Sequence, residues 1–231
     1  MKTLLTLAVF FLPYVGKSPS AEIPNTLLNG SWKSETGVII LSGDYFSYAE
    51  FDKETKSFSG TYGGKWELNG TEMFQQIEFS TYDKSLVGKE LAKTITLNNN
   101  IITIDNEKFI KIDDGSPGKL HGAWLFAGRK REGEMETRDT SQPRKTMKIL
   151  SGMRFQWIAY HTDTGEFFGT GGGTYTTIGN RYTENIEFFS RDSSRVGASL
   201  SFDFELIDGV WHHQGLNSRG EPLYEIWNLR E

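Results

Sequence analysis

The chain has 231 residues, a formal net charge of -5 from 25 basic and 30 acidic side chains, 13% aromatic residues and no cysteine. The missing cysteines exclude disulfide frameworks, thiolate metal sites and thiol nucleophiles. The mildly acidic balance, without a basic block, argues against nucleic acid as a partner. A hydrophobic fraction of 37% excludes a disordered chain and supplies enough apolar side chain for a packed core.

The N-terminus reads MKTLLTLAVFFL, one early lysine and an apolar run ending at Pro13. It is too short to cross a bilayer and has the layout of a signal peptide over residues 1–20, with Ser18, Ser20 and Ala21 as the small-residue exit. A secreted or periplasmic protein without a transmembrane segment in its mature chain is expected.

An internal repeat organises the chain beyond this leader. Residues 41–88 align with 150–197 at a constant offset of 109, with 18 of 48 positions identical. A match of that extent indicates internal duplication. LNGSW at 28–32 matches LHGAW at 120–124 at an offset of 92, so the second copy carries 17 extra residues (109 less 92) near 127–148. That stretch is highly charged and contains a proline, which suits a surface excursion or solvated hairpin. The repeats are placed at 27–113 and 119–231, joined by the turn-rich IDDGSPGK at 112–119.

Strand-like segments fill each copy: 66–68, 73–79, 91–97 and 101–104 in the first, and 175–177, 182–188, 200–206 and 210–213 in the second. Phe202, Phe204 and Leu206 alternate with Ser201, Asp203 and Glu205, predicting one buried and one wet face. Short turns such as ELNGTE at 67–72 and IDG at 207–209 separate the segments. The pattern predicts an all-β fold, an antiparallel meander. Either each copy closes into its own barrel, the favoured arrangement, or the two share one larger barrel or double sheet.

Motifs that carry chemistry are weak. GTGGGTY at 169–175 departs from a dinucleotide fingerprint at Thr174 and does not open a helix, so its glycines are read as a bulge, a sharp strand bend or a close backbone approach. Within YTENIEFF, Tyr182, Glu184, Ile186 and Phe188 share one strand face, while Glu187 points the other way, which weakens a catalytic carboxylate pair. Glu184 is expected to meet a ligand or to pair with Arg154 or Arg181. The adjacent His212 and His213 cannot readily chelate one ion, and no metal-ligand spacing is present. No catalytic residue, metal or cofactor is assigned.

Taken together, LHGAW at 120–124, residues 149–197 and EIWNL at 225–229 resemble the lipocalin-like exported proteins of Bacteroidetes-type bacteria. The pattern falls on Leu120, Gly122 and Trp124, on Gly172, Gly173 and Tyr175, on the Tyr182–Glu187 strand, on Val196 and Gly197, and on Glu225 and Trp227. The first repeat matches more loosely and has no closing tryptophan. The resemblance implies two tandem lipocalin-like, calycin-type barrels and export, and leaves the ligand open.

The function expected is non-catalytic binding of a small apolar or amphipathic molecule in the barrel of the second repeat. Arg154, Tyr182, Glu184, His213 and Glu225 are the candidates for orienting a polar end, and Trp157, Tyr175, Trp211 and Trp227 for the aromatic wall. The alternatives are a structural or protein-interaction module whose rings fill the barrels, and an enzyme working through Glu184.

Overall fold

The computed structural model describes residues 23–116, 118–217 and 220–230; the leader expected at 1–20 lies outside them. A single helical turn, Asn25–Leu28, precedes the first barrel. Its strands are β1 (Gly30–Lys33), β2 (Gly37–Ser42), β3 (Tyr45–Asp52), β4 (Ser57–Asn69), β5 (Glu72–Ser80), β6 (Glu90–Asn98), β7 (Ile101–Ile104) and β8 (Glu107–Asp113). They pair antiparallel in chain order, and β1 closes onto β8.

The second unit comprises β9 (Gly122–Arg131), β10 (Glu134–Thr137), β11 (Arg144–Leu150), β12 (Arg154–His161), β13 (Phe167–Ile178), β14 (Arg181–Phe189), β15 (Ser199–Ile207), β16 (Val210–Leu216) and β17 (Pro222–Leu229). Here β9 and β11–β17 close an eight-stranded antiparallel barrel through the β9–β17 pairing. The extra strand, β10, pairs only with Gly128–Arg131 of β9, so the charged insertion is an exposed hairpin projecting from the barrel. Of the two arrangements open to the sequence, the chain thus adopts a barrel for each repeat.

The repeat is visible in small devices. Trp32 Nε1 donates to the Leu28 carbonyl at 2.8 Å, and Trp124 Nε1 to the Leu120 carbonyl at 2.9 Å. The Leu-x-Gly-x-Trp motif is therefore a plug that folds a leucine and an indole into each barrel's end, and all four side chains are buried. After β5 and β14, Asp83 and Asp192 each accept from the backbone N–H two residues on and start a single 3-10 turn. The β15–β16 hairpin turns on Asp208 and Gly209, both with positive φ (50° and 79°), the backbone that a two-residue hairpin requires.

The glycine runs act as the duplication implied. Register shifts fall at Gly63/Gly64 and Gly172/Gly173. A Cβ on Gly64 would lie 2.0 Å from the Gln76 carbonyl oxygen, and one on Gly173 would lie 2.0 Å from that of Asn185. Both strands bend where backbone meets backbone, and any side chain there would prevent the bulge.

The barrels share a third core. Val38, Ile40 and Phe79 on the outside of the first pack against Leu125, Met147, Ile149, Ile158 and Tyr160 on the outside of the second. This explains why GVIILS in β2 is apolar without alternation: Ile39 and Leu41 face the barrel interior, while Val38 and Ile40 face the other lobe. One junction residue joins matching positions of the two repeats. Gln156 Nε2 donates to Thr61 Oγ1 at 2.8 Å and to Thr170 Oγ1 at 3.0 Å, and those threonines occupy the same position of the two repeats. Glu78 binds Arg230 through both carboxylate oxygens at 2.7 Å and accepts from the Tyr160 hydroxyl at 2.7 Å. Its repeat counterpart, Glu187, binds Arg154 at 2.6 Å.

Three expectations are corrected. Phe188 does not share the inward face of Tyr182, Glu184 and Ile186: the register shift at Gly172/Gly173 turns it outward, where it stacks on Phe51 and Phe58 of the first barrel at 4.6 and 5.9 Å, and Phe189 faces the core instead. Leu206 does not share the buried face of Phe202 and Phe204: it is 44% exposed, because the β15–β16 hairpin runs on past the barrel wall. Glu184 pairs with neither Arg154 nor Arg181. Arg154 points out of the barrel to Glu187, and Arg181 pairs with Asp203 at 2.6 Å on the surface.

Candidate functional site

The interior of the second barrel is layered. At its closed end Leu120, Trp124, Leu150, Phe155 and Tyr175 pack into the barrel's buried cluster, while Phe204 lies opposite His213. Tyr175 donates its hydroxyl to the Ser151 carbonyl, so it serves the barrel floor. Above them, β14 delivers Tyr182 and Glu184, β16 delivers Trp211 and His213, and β17 delivers Glu225 and Trp227. Strand alternation aims these residues inward because each pair lies two apart on its strand.

The centre of this layer is a residue that the sequence did not single out. Lys148, the last residue of the stretch assigned to the charged insertion, lies inside the barrel on β11. Its Nζ is 2.7 Å from Glu184 Oε1, with side-chain exposures of 8% and 7%. Glu184 Oε1 also accepts from the Tyr182 hydroxyl at 2.8 Å. The ammonium lies 5.1–5.2 Å from the ring centres of Tyr182, Trp211 and Trp227, a box of π faces around a cation.

Next to it, His213 Nδ1 lies 3.3 Å from Glu225 Oε2, which also accepts from Trp227 Nε1 at 3.2 Å. Burial holds His213 below its ordinary pKa, helped by the Lys148 charge and opposed by Glu225. Burial works against ionisation of Glu225, but the hydrogen bond and charge of His213, then Lys148, outweigh it and hold the carboxyl below its usual range. His213 Nε2 and Trp211 Nε1, one acceptor and one donor, are buried without a hydrogen-bond partner.

At the other end the packing is looser. Phe126, Trp157, Phe189 and Leu223 pack on the core but remain partly exposed, and Trp157 lies against Phe189 at 5.4 Å. Beside this mouth a groove of about 610 Å³ runs between the insertion hairpin (Lys130, Glu132) and Gln214, Gly215, Leu223 and Tyr224. Glu225 is the layer's most accessible carboxylate, its side chain 20% exposed.

Eight of the nine expected residues therefore belong to one barrel interior or its mouth, with Tyr175 at the floor and Trp157 at the rim; Arg154 stands apart, on the outer wall. Asp203 and Glu205 also lie outside the barrel. Among the described residues, no group of three or more histidine or carboxylate side chains is placed to hold a metal ion. What this arrangement can do chemically is fix a polar group under an apolar mouth.

The first repeat fills the same positions differently. At the constant offset, Ile39 stands for Lys148, Gln75 for Glu184, Ile102 for Trp211 and Ile104 for His213. No protein-family model matches the chain, and no curated protein matches it.

Proposed function

We propose that the protein is an exported, non-catalytic binder of a small apolar or amphipathic molecule, of the lipocalin-like kind, held at the mouth of its second barrel. One observation carries this reading. The first barrel fills this layer with Ile39, Gln75, Ile102 and Ile104, so closing the barrel at this level needs no buried charge. The second places Lys148, Glu184, His213 and Glu225 at or beside the same layer, where burying ions costs several kcal/mol each before their pairing offsets it. A polar layer that folding does not demand, lying below the partly exposed rings of Trp157 and Phe189, suits recognition of a ligand's polar end. Export rests on the leader-like run Met1–Leu12 and on the resemblance of the second repeat. Among the described residues, no helix is long and apolar enough to cross a membrane.

A second reading has its own support: most interior side chains of both barrels are buried against one another, as in a module that presents only its outer surface. Catalysis by Glu184 would require that carboxylate to leave Lys148 and Tyr182. Titration of the full chain with decanol and decanoate, followed by tryptophan emission, separates the two principal readings. Saturable binding that Phe189→Asp abolishes supports the mouth as the site. Emission unchanged at all concentrations in the parent protein supports the filled module.

A further inference from the structure

The first barrel has a cavity where the second has its charged layer. A space of about 310 Å³ opens at the mouth of the first barrel, with Ile39, Ile104 and Phe109 on its floor. Its size is at the lower end of small-molecule sites, which run from about 300 to 1,000 Å³. The cause is the pair of isoleucines. At the matching positions of the second barrel, Lys148 and His213 reach into the interior, and the shorter apolar chains leave that volume empty.

Two tyrosines form the wall. The ring centres of Tyr48 and Tyr62 are 5.6 Å apart, and Phe109 is 6.2 Å from Tyr48 in an edge-on arrangement. The rim is acidic. Asp105 and Glu107 flank the opening, and Lys93, the basic side chain beside them, is tied to Asp105 at 2.8 Å. Glu107 lies close enough to both tyrosines for its charge to help raise their pKa values, although burial is the larger cause at each. The cavity is thus lined by two tyrosine rings, an apolar floor and the Glu107 carboxylate, while Lys93 is held by Asp105. Cations are drawn to the faces of such rings, and the carboxylate adds direct charge pairing.

We infer that the mouth of the first barrel is a second, independent binding site, for an organic ammonium with a compact apolar or aromatic body. The body would pack on Ile39, Ile104 and Phe109, and the ammonium would lie between the tyrosine faces and Glu107. A carboxylate-headed ligand would meet Glu107 and Asp105 and be repelled. The site does not depend on the second barrel's ligand, so either assignment can fail alone.

The test uses the full chain and three probes of similar shape: phenethylammonium, 2-phenylethanol and phenylacetate. Calorimetric titration is expected to rank them in that order, with Glu107→Gln weakening phenethylammonium about fivefold or more and leaving 2-phenylethanol nearly unchanged. Glu107 is exposed, so this variant keeps the fold; amide chemical-shift changes should centre on Ile39, Ile104 and Phe109. Glu225→Gln in the second barrel should leave phenethylammonium affinity unaltered. Equal binding of all three probes, no binding of the ammonium, or shifts centred on Trp227 would overturn the assignment.

Discussion

Lys148 and Glu184 form a buried ion pair at 2.7 Å inside the second barrel, and the first barrel holds Ile39 and Gln75 at the same two positions. The duplicated scaffold thus contains an ionic and a neutral solution to one packing problem. Removing one partner leaves the other charge buried and uncompensated. Lys148→Ile or Glu184→Gln alone should destabilise the chain by about 3–5 kcal/mol. The double variant, which restores the first repeat's pair, should lose less than either single one. Urea unfolding of all three measures this, and additive losses would contradict it.

Stability should fall on the acid side through His213. Its pKa is held below the ordinary 6.5 in the fold, chiefly by burial. Above 6.5 both the folded and unfolded states are neutral there, and the full stability is present. Below 6.5 the unfolded chain takes up a proton that the folded barrel resists, so stability drops by up to about 1.4 kcal/mol per pH unit until the folded-state pKa is reached. Glu225 acts in the same direction at lower pH, because its depressed pKa gives stability that is lost as pH falls through the folded value. His213→Asn should flatten the slope just below pH 6.5 in denaturant titrations at graded pH.

Glu78 ties the lobes together through Arg230 and Tyr160, with side-chain exposures of 12% for both Glu78 and Arg230. Glu78→Ala should cost about 2–4 kcal/mol, since it leaves a mostly buried guanidinium without its partner. The shared core between the barrels makes one cooperative transition the expectation for the parent chain. Scanning calorimetry should show a single peak, lowered in the variant. Two well-separated peaks in the parent would show that the outer-face contacts do not couple the lobes.

Gly173 should tolerate no side chain. Gly173→Ala must displace backbone at the Asn185 carbonyl, a cost of about 1–3 kcal/mol by analogy with overpacking. An equivalent loss is expected for Gly64→Ala in the first barrel, and chemical denaturation reads both.

The parts legible in the sequence were those fixed by local pattern. The alternation of Tyr182, Glu184 and Ile186 placed all three inside because the period of a strand is two, whatever its neighbours. The glycine runs signalled bulges because they recur in both copies, and the charged insertion became the β9–β10 hairpin. Register between strands was not legible. Lys148 closes a highly charged stretch and alternates with Met147 and Ile149, which face the other lobe, so nothing local marks it as the inward residue. The arginines that the sequence offers as partners for Glu184, Arg154 and Arg181, face outward instead. The lobe junction was hidden for a related reason: Val38, Ile40 and Ile149 read only as apolar strand residues, and a second buried face comes from the other repeat.

The most direct measurement of the central claim is non-denaturing mass spectrometry of the full chain, after incubation with a total lipid and small-metabolite extract. Binding at the second barrel's mouth predicts a discrete mass increment in the parent chain that is lost in Phe189→Asp and retained in Glu107→Gln. A parent chain that emerges at its bare mass from every fraction, or increments that all persist in Phe189→Asp and are lost only in Glu107→Gln, would contradict it.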